Sequence, residues 1–299
     1  MSSVRVGTPA VRPRAEQPQF SMTLSFFSRI GEPMAVTLIL VAGVICAADA
    51  HSTDWPAHNR SLSLSATALS QHYRETETQG LTADGTLNTE RGTVGGWTVQ
   101  GRWQGALGPV PLWLQASAQW SKGQTRYNGY LQSGNIFTPF QAKTGNTWRS
   151  HSLALGVPLA VAPGDQVQLI PHLQWASQHW QRNLVQYGET YRHHSAGLGL
   201  LAQWAVTDRL TLEAAATRRW QSRASVVVPA FGFAAEQGHG TETEFSVVAR
   251  WRSNQRWHLL ASASGSRFQN GVSPVQQGLQ APPNNHQATR MSVGLGLHY

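Results

Sequence analysis

The last eleven residues of the chain, 289–299, sort cleanly into two rows. Thr289, Met291, Val293, Leu295, Leu297 and Tyr299 are mostly apolar, while Arg290, Ser292, Gly294, Gly296 and His298 are small or polar. A period of two marks an extended strand, because successive side chains leave a pleated backbone on opposite sides. Such a strand has one apolar face, which must meet either a protein core or lipid.

The same alternation predicts nine earlier strands, over roughly 61–74, 93–107, 110–127, 147–161, 165–183, 190–206, 209–224, 241–253 and 256–268. In the second, Trp97, Val99, Trp103 and Leu107 oppose Thr98, Gln100, Arg102 and Gln104. In the seventh, Leu210, Leu212, Ala214 and Ala216 oppose Thr211, Glu213, Thr217 and Arg219. Four links between strands are tight: Gly108-Pro109, Ala162-Pro163-Gly164, Thr207-Asp208 and Asn254-Gln255. They alternate with long links, notably 128–146, 224–240 and 269–286, which are rich in Gly, Asn, Gln, Thr and Pro. Pro158 and Pro171 each remove a ladder donor inside a strand and are expected at bulges.

Composition decides what the apolar faces meet. Only 13% of the chain is charged, and its 12 tryptophans fall mainly on the apolar rows. Trp103, Trp204, Trp251, Trp257 and Tyr299 fall beside the tight links, while Trp97, Trp120, Trp175 and Trp220 fall near the long ones. A soluble β-sandwich also alternates, but it has no reason to sort its aromatics into two bands. Two aromatic girdles are what a barrel in lipid requires. Beyond residue 50 no run of about 20 apolar residues offers a membrane helix.

The front end reads as an export signal. Ala35–Ala48 is continuously apolar, Arg29 precedes it, and Ala48-Asp49-Ala50 offers an A-x-A cleavage site. Residues 1–50 are therefore expected to be removed after Ala50, with Met22 a candidate for the true start. Residues 51–60 would form a short periplasmic segment and 61–299 the barrel. The sole cysteine, Cys46, falls inside the signal. Disulfides, cysteine nucleophiles and cysteine metal sites are excluded from the mature chain on that reading.

With apolar rows facing lipid, the opposite rows face a lumen. There a charge network is expected from Arg102, Glu213, Arg219, Arg250 and Arg290, joined by His172, Glu242, Glu244, Arg252 and His258. Charges at bilayer depth persist only when paired or wet. Glu213 is the acid nearest mid-strand, and Arg250 on the adjacent strand is its expected partner. Near the long links a basic collar is expected from Arg74, Arg91, Lys122, Arg126, Lys143, Arg149, Arg182, Arg192, Arg223 and Arg267, suited to phosphate through charge-assisted bonds.

Taken together, the alternating strands, the alternating link lengths and the terminal Tyr299 resemble the small outer-membrane β-barrels of Gram-negative bacteria. The resemblance covers residues 61–299 and rests on pattern, not on a motif. It implies an all-β, ten-stranded, antiparallel, up-and-down transmembrane barrel with short periplasmic turns and long extracellular loops. Its partners would be outer-membrane lipid, lipopolysaccharide and the barrel-assembly machinery. No cofactor or nucleic acid is expected, the oligomeric state stays open, and the scattered histidines lack a third ligand at metal spacing.

Three roles follow. The first is a structural or surface-interaction protein acting through its loops, and the second a narrow channel for small polar or anionic solutes. The third is a lipid hydrolase using His193 as base and Ser195 as nucleophile, although Ala196 stands where such enzymes carry Asn and both residues face the lumen by parity. Omptin-type proteases need acid or acid–His pairs at the outer rim. Here Asp165 and Asp208 fall in periplasmic turns, Asp54 precedes the barrel, and only Asp84 lies outside. A non-enzymatic role is the expectation.

Overall fold

The structure, a computed structural model, describes residues 53–77, 82, 84–133, 136–161, 165–185, 187–276 and 278–299. The expected signal over 1–50, with Met22, Cys46 and the cleavage site at Ala50, lies outside the described residues, as does the Ala162-Pro163-Gly164 turn.

Strands form where side chains alternate, and twelve result: β1 (Ser61–Thr76), β2 (Thr86–Leu107), β3 (Val110–Ser133), β4 (Ile136–Gly156), β5 (Leu159–Ala160), β6 (Val167–Leu184), β7 (Tyr187–Ala205), β8 (Leu210–Val228), β9 (Phe233–Glu236), β10 (Thr241–Arg252), β11 (Trp257–Asn270) and β12 (Asn284–His298). Two are short: β5 lies on β6 and β9 on β8. The other ten pair antiparallel in chain order, and β12 returns to β1 from Ser61↔His298 to Glu75↔Asn284. The sheet is therefore a closed, ten-stranded, up-and-down barrel, and closure removes the exposed edges that invite aggregation.

Polarity is inverted relative to a soluble protein. On β1, Leu62 and Leu64 are 52% and 58% exposed, while Ser63, Ser65 and Thr67 on the opposite face are buried. The exposed large side chains include Leu153, Leu155, Leu198, Leu200, Leu259, Val293 and Leu295, all on the outer wall. An apolar outer belt around a polar interior is the arrangement of a barrel that crosses a membrane with its strands.

Several strands run further than their apolar alternation foretells. Segment 128–146, expected as a loop, is a hairpin in which β3 and β4 stay paired from Tyr127↔Ala142 to Ser133↔Ile136. Segment 224–240 contains the end of β8, a 3-10 turn at Pro229–Phe231 and β9. Segment 269–286 holds the end of β11, an isolated Gln276↔Leu279 bridge and the start of β12. The physical reason is shared. Above the apolar belt the outer face meets water or polar groups and no longer carries a regular apolar row, while the ladder continues, in 224–240 with Val226, Val228, Phe233 and Ala235 packed inward.

The two prolines do not make the expected bulges. Gly156 pairs with His172 and Leu159 with Leu169, so two residues on each side, Val157–Pro158 and Ile170–Pro171, face a single interruption of the ladder. Neither strand gains a residue, and Pro171 stays in unbroken register with Leu200 on its other side. The described bulges lie instead at Glu75/Thr76 and His194/Ser195.

Residues before β1 make a short helix, α1 (Trp55–His58), capped by Asp54 Oδ1 accepting from the Ala57 amide at 3.0 Å. It sits in the mouth at the tight-turn end. Trp55 Nε1 donates to the Asp165 carbonyl at 2.6 Å, and the fully buried Asn59 donates to Gln104 Oε1 at 2.7 Å and Gln203 Oε1 at 2.8 Å. The segment 51–60, expected as a simple periplasmic lead, thus ends inside the barrel.

Candidate functional site

The lumen is built in layers, each fed by polar rows from several strands. At the tight-turn end, Asn59, Gln104, Gln168 and Gln203 exchange side-chain hydrogen bonds across the mouth, the shortest being Gln168 Nε2 to Gln203 Oε1 at 2.6 Å. His58 sits beside Arg252, with 3.5 Å between its Nδ1 and Arg252 Nη2. Burial, and secondarily the charge of Arg250, holds the His58 imidazole down at about 3, so it is neutral at physiological pH.

The next layer is the lower ion cluster. Arg102 reaches from β2 across the lumen to Glu213 on β8 and makes a bidentate pair at 2.6 and 2.8 Å. Arg250 Nε lies 2.9 Å from the same carboxylate, and Gln203 Nε2 donates to it at 2.8 Å. Arg250, expected as the partner of Glu213, therefore shares it, and the two-pronged bond belongs to Arg102. Registers explain the difference. Arg250 pairs with Thr211, two residues from Glu213, whereas Arg102 approaches end-on from the facing wall. A planar guanidinium meeting a carboxylate in that way makes the stronger contact.

Higher up, Arg219 holds Glu242 at 2.7 Å and Glu244 at 2.9 Å and donates to Gln174 at 2.9 Å. Arg290 is the loosest member, 3.9 Å from Glu244 and partly exposed. Beside them lies a cavity of about 220 Å³ whose wall includes ten serines, among them Ser63, Ser117, Ser152, Ser262 and Ser292. Its space exists because these rows carry small side chains.

An aromatic layer roofs the cavity. Trp148 and Trp180 stack at 4.6 Å and 7°, and Tyr191 stacks on Trp180 at 4.9 Å. Their indoles are tied down, Trp148 Nε1 donating to Gln71 at 2.7 Å and Trp180 Nε1 to Asn146 at 2.6 Å. Phe268 and His286 stack at 4.6 Å, and His286 meets Trp148 at 5.0 Å, so the layer is continuous. Near the long-loop end follows an upper ion cluster, in which Arg182 binds Glu90 at 2.6 Å and Glu189 at 2.7 Å, with Glu75 at 3.7 Å. The rings of Tyr73 and Tyr127 flank its guanidinium at 5.1 and 5.4 Å. Tyr191 donates to Glu189, Asn146 and Thr125 to Glu90, and Asn88 to Glu75.

Sequence reasoning missed this upper cluster and misplaced one member. Arg182, expected on the outer collar, is 1% exposed and faces inward. Parity held the signal: Trp148, Trp180 and Arg182 share one row of the alternation, opposite the outward Arg149 and His179. The aromatics named for the girdles lie on the outer wall. Trp97, Trp175, Trp251, Trp257 and Tyr299 are exposed, and Trp103, Trp120 and Trp204 are half-buried among outward neighbours. Trp97 and Trp120 stack at 6.4 Å, and the Tyr299 hydroxyl donates to the Arg102 carbonyl at 3.1 Å. His193 and Ser195 are both buried toward the lumen, His193 against the Phe268 ring at 4.9 Å, while His194 turns outward against Trp175.

No protein-family model matches the sequence, and no curated protein matches it either. Solved structures do. The outer membrane protease OmpT from Escherichia coli superposes with a TM-score of 0.56 at 10% identity, over 81% of this chain and 97% of that one. The transport unit of the autotransporter AIDA-I from Escherichia coli gives 0.40 at 10% identity, over 89% and 97%. Ail from Yersinia pestis gives 0.29 at 8% identity, over 81% and 99%. With the closed sheet and the apolar outer belt, the first of these likenesses makes the fold that of an outer-membrane β-barrel.

Proposed function

We propose that this protein is an outer-membrane barrel that does not conduct and that acts at the cell surface through its upper rim and loops. The observation that carries the reading is the cross-bracing of the lumen. Arg102 to Glu213, Trp148 to Gln71, and Arg182 to Glu90 each join distant strands at a different height. Asn59 closes the tight-turn mouth with bonds to β2 and β7. A ten-stranded barrel encloses little space, and bridges at four levels leave no wide path for solute. The barrel-assembly machinery would insert it, and outer-membrane lipid would surround it between the two aromatic bands.

A channel reading would draw on the serine-lined cavity and on the two guanidiniums facing one carboxylate in the lower cluster, which would favour anions. A hydrolase reading through His193 and Ser195 finds little support, because both side chains lie inside the wall. OmpT is a protease, but a likeness at 10% identity bears on fold alone.

The test is conductance of the purified, folded protein in a planar bilayer, after heat-modifiable gel mobility has verified the barrel. The expected result is a silent membrane. Discrete openings would move the assignment to a narrow channel.

A further inference from the structure

The outer wall of β2, β3 and β4 carries cations in a pattern that strand stability alone disfavours. Arg91 stands directly opposite Arg126, and Arg126 directly opposite Lys143. Like charges on facing positions of neighbouring strands repel. His72 of β1 extends the row beside Arg91. Six residues nearer the tight-turn end on the same face stand Trp97, Trp120 and Arg149, also in one cross-strand row, with Lys122 two residues above Trp120. At 3.3 Å per residue the two rows are roughly 20 Å apart along the strands.

These five cations have no anions to meet. Arg91, Lys122, Arg126, Lys143 and Arg149 are exposed and make no hydrogen bond or ion pair among the described residues. The outward positions of β2, β3 and β4 carry neither Asp nor Glu. The strand carboxylates of the ion clusters, Glu75, Glu90, Glu189, Glu213, Glu242 and Glu244, all face the lumen and are held by lumen arginines. Along β2, β3 and β4 the wall thus separates charge: Glu90 inside with partners, five cations outside without.

We propose that this face binds the phosphate groups of a phosphorylated glycolipid in the outer leaflet. The reading rests on the long-loop end facing away from the cell. Arg149 and Lys122 sit at and just above the Trp97–Trp120 pair, where a lipid's acyl region gives way to its headgroup, and take the phosphate closest to the acyl chains. The Arg91–Arg126–Lys143 row takes phosphate carried higher on the sugars. Guanidinium and ammonium groups grip phosphate oxygens with charge-assisted bonds, and the cation–cation repulsion is relieved when an anion lies between them. A lipid source is favoured over a soluble one because the cations point sideways from the wall, above exposed tryptophans, and not into a pocket.

The experiment uses the full folded barrel in detergent and three probes: phosphorylated lipopolysaccharide, the same material with its phosphates removed chemically, and inorganic phosphate alone. The variant Arg91→Gln/Arg126→Gln/Lys143→Gln is compared with wild type and with Arg223→Gln on β8, across the barrel from this face, each checked for heat-modifiable mobility. The expected results are at least tenfold weaker binding of phosphorylated lipopolysaccharide by the triple variant and less than twofold change in the comparison variant. Dephosphorylated material should bind wild type at least as weakly as phosphorylated material binds the triple variant, which keeps Arg149 and Lys122. Equal binding by wild type and triple variant, or no discrimination by wild type between the two lipids, would overturn the proposal. Displacement of the lipid by a few millimolar inorganic phosphate would also overturn it, in favour of a free anion. Should the triple variant not fold, Arg126→Gln alone is read in the same assay, with threefold weaker binding expected and none overturning the proposal. Conductance of the barrel has no bearing on these outcomes, so the two readings fail separately.

Discussion

The two ion clusters of the lumen solve one problem with opposite ratios. The lower cluster places two guanidiniums, Arg102 and Arg250, around one carboxylate, Glu213. The upper cluster places three carboxylates, Glu75, Glu90 and Glu189, around one guanidinium, Arg182. The lower has one anion that nothing can replace. The upper has redundancy: its arginine keeps partners when one acid is lost, and tyrosine, asparagine and threonine groups donate to its acids. Where a buried charge has a single counter-ion, that counter-ion fixes stability; where several share the role, each matters less.

That contrast sets the order of expected effects. Glu213→Gln leaves two buried guanidiniums without an anion and should cost about 3–5 kcal/mol, the penalty for breaking a buried pair. The drop would be read as a lower unfolding temperature in the heat-modifiability assay, and an unchanged temperature would refute a structural role for the cluster. Glu90→Gln should cost less, about 2–3 kcal/mol, because Arg182 retains Glu189 and Glu75 while the amide still accepts from Asn146. Equal losses in the two variants would erase the distinction between the clusters.

Acid should act through the buried imidazole at the tight-turn mouth. His58 is held at about 3, against an ordinary value of 6.5 in the unfolded chain. Below 6.5 the unfolded chain takes up a proton that the folded one refuses, so stability present above 6.5 is lost as pH falls toward 3. Between pH 6.5 and 5.5 the loss from this group should reach about 1 kcal/mol, and His58→Phe should make that part of the stability–pH curve less steep by that amount. A slope unchanged in the variant would assign the acid sensitivity elsewhere. Smallest of all, Arg290→Ala should change stability by about 0–1 kcal/mol, since its 3.9 Å contact with Glu244 is partly wet.

The lower half of the barrel was legible because lipid writes it into the sequence. An outer wall against hydrocarbon must be apolar at every second position, so Leu62, Leu64, Leu259 and Val293 mark their strands and, by elimination, assign Arg102 and Glu213 to the lumen. The upper half lacks that marker. There Arg126, Asn128 and Tyr130 face outward and Tyr127 and Gly129 inward, with little hydrophobic contrast between the rows. The hairpin over 128–146 consequently read as a loop, and Arg182 read as a rim cation although its parity with Trp180 put it inside.

Alternation and link length alone determined that ten strands close as an up-and-down barrel with its tight turns on the side of Tyr299. The reason is that periodicity is local and each strand declares its own faces. Only the tertiary structure decided which side chains meet across the lumen: that Arg102 rather than Arg250 grips Glu213 with both prongs, that Asn59 closes the mouth, and that Arg91, Arg126 and Lys143 fall into one row. Those facts depend on register and on which strands face each other around the closed sheet, and neither quantity is written in the order of residues along a single strand.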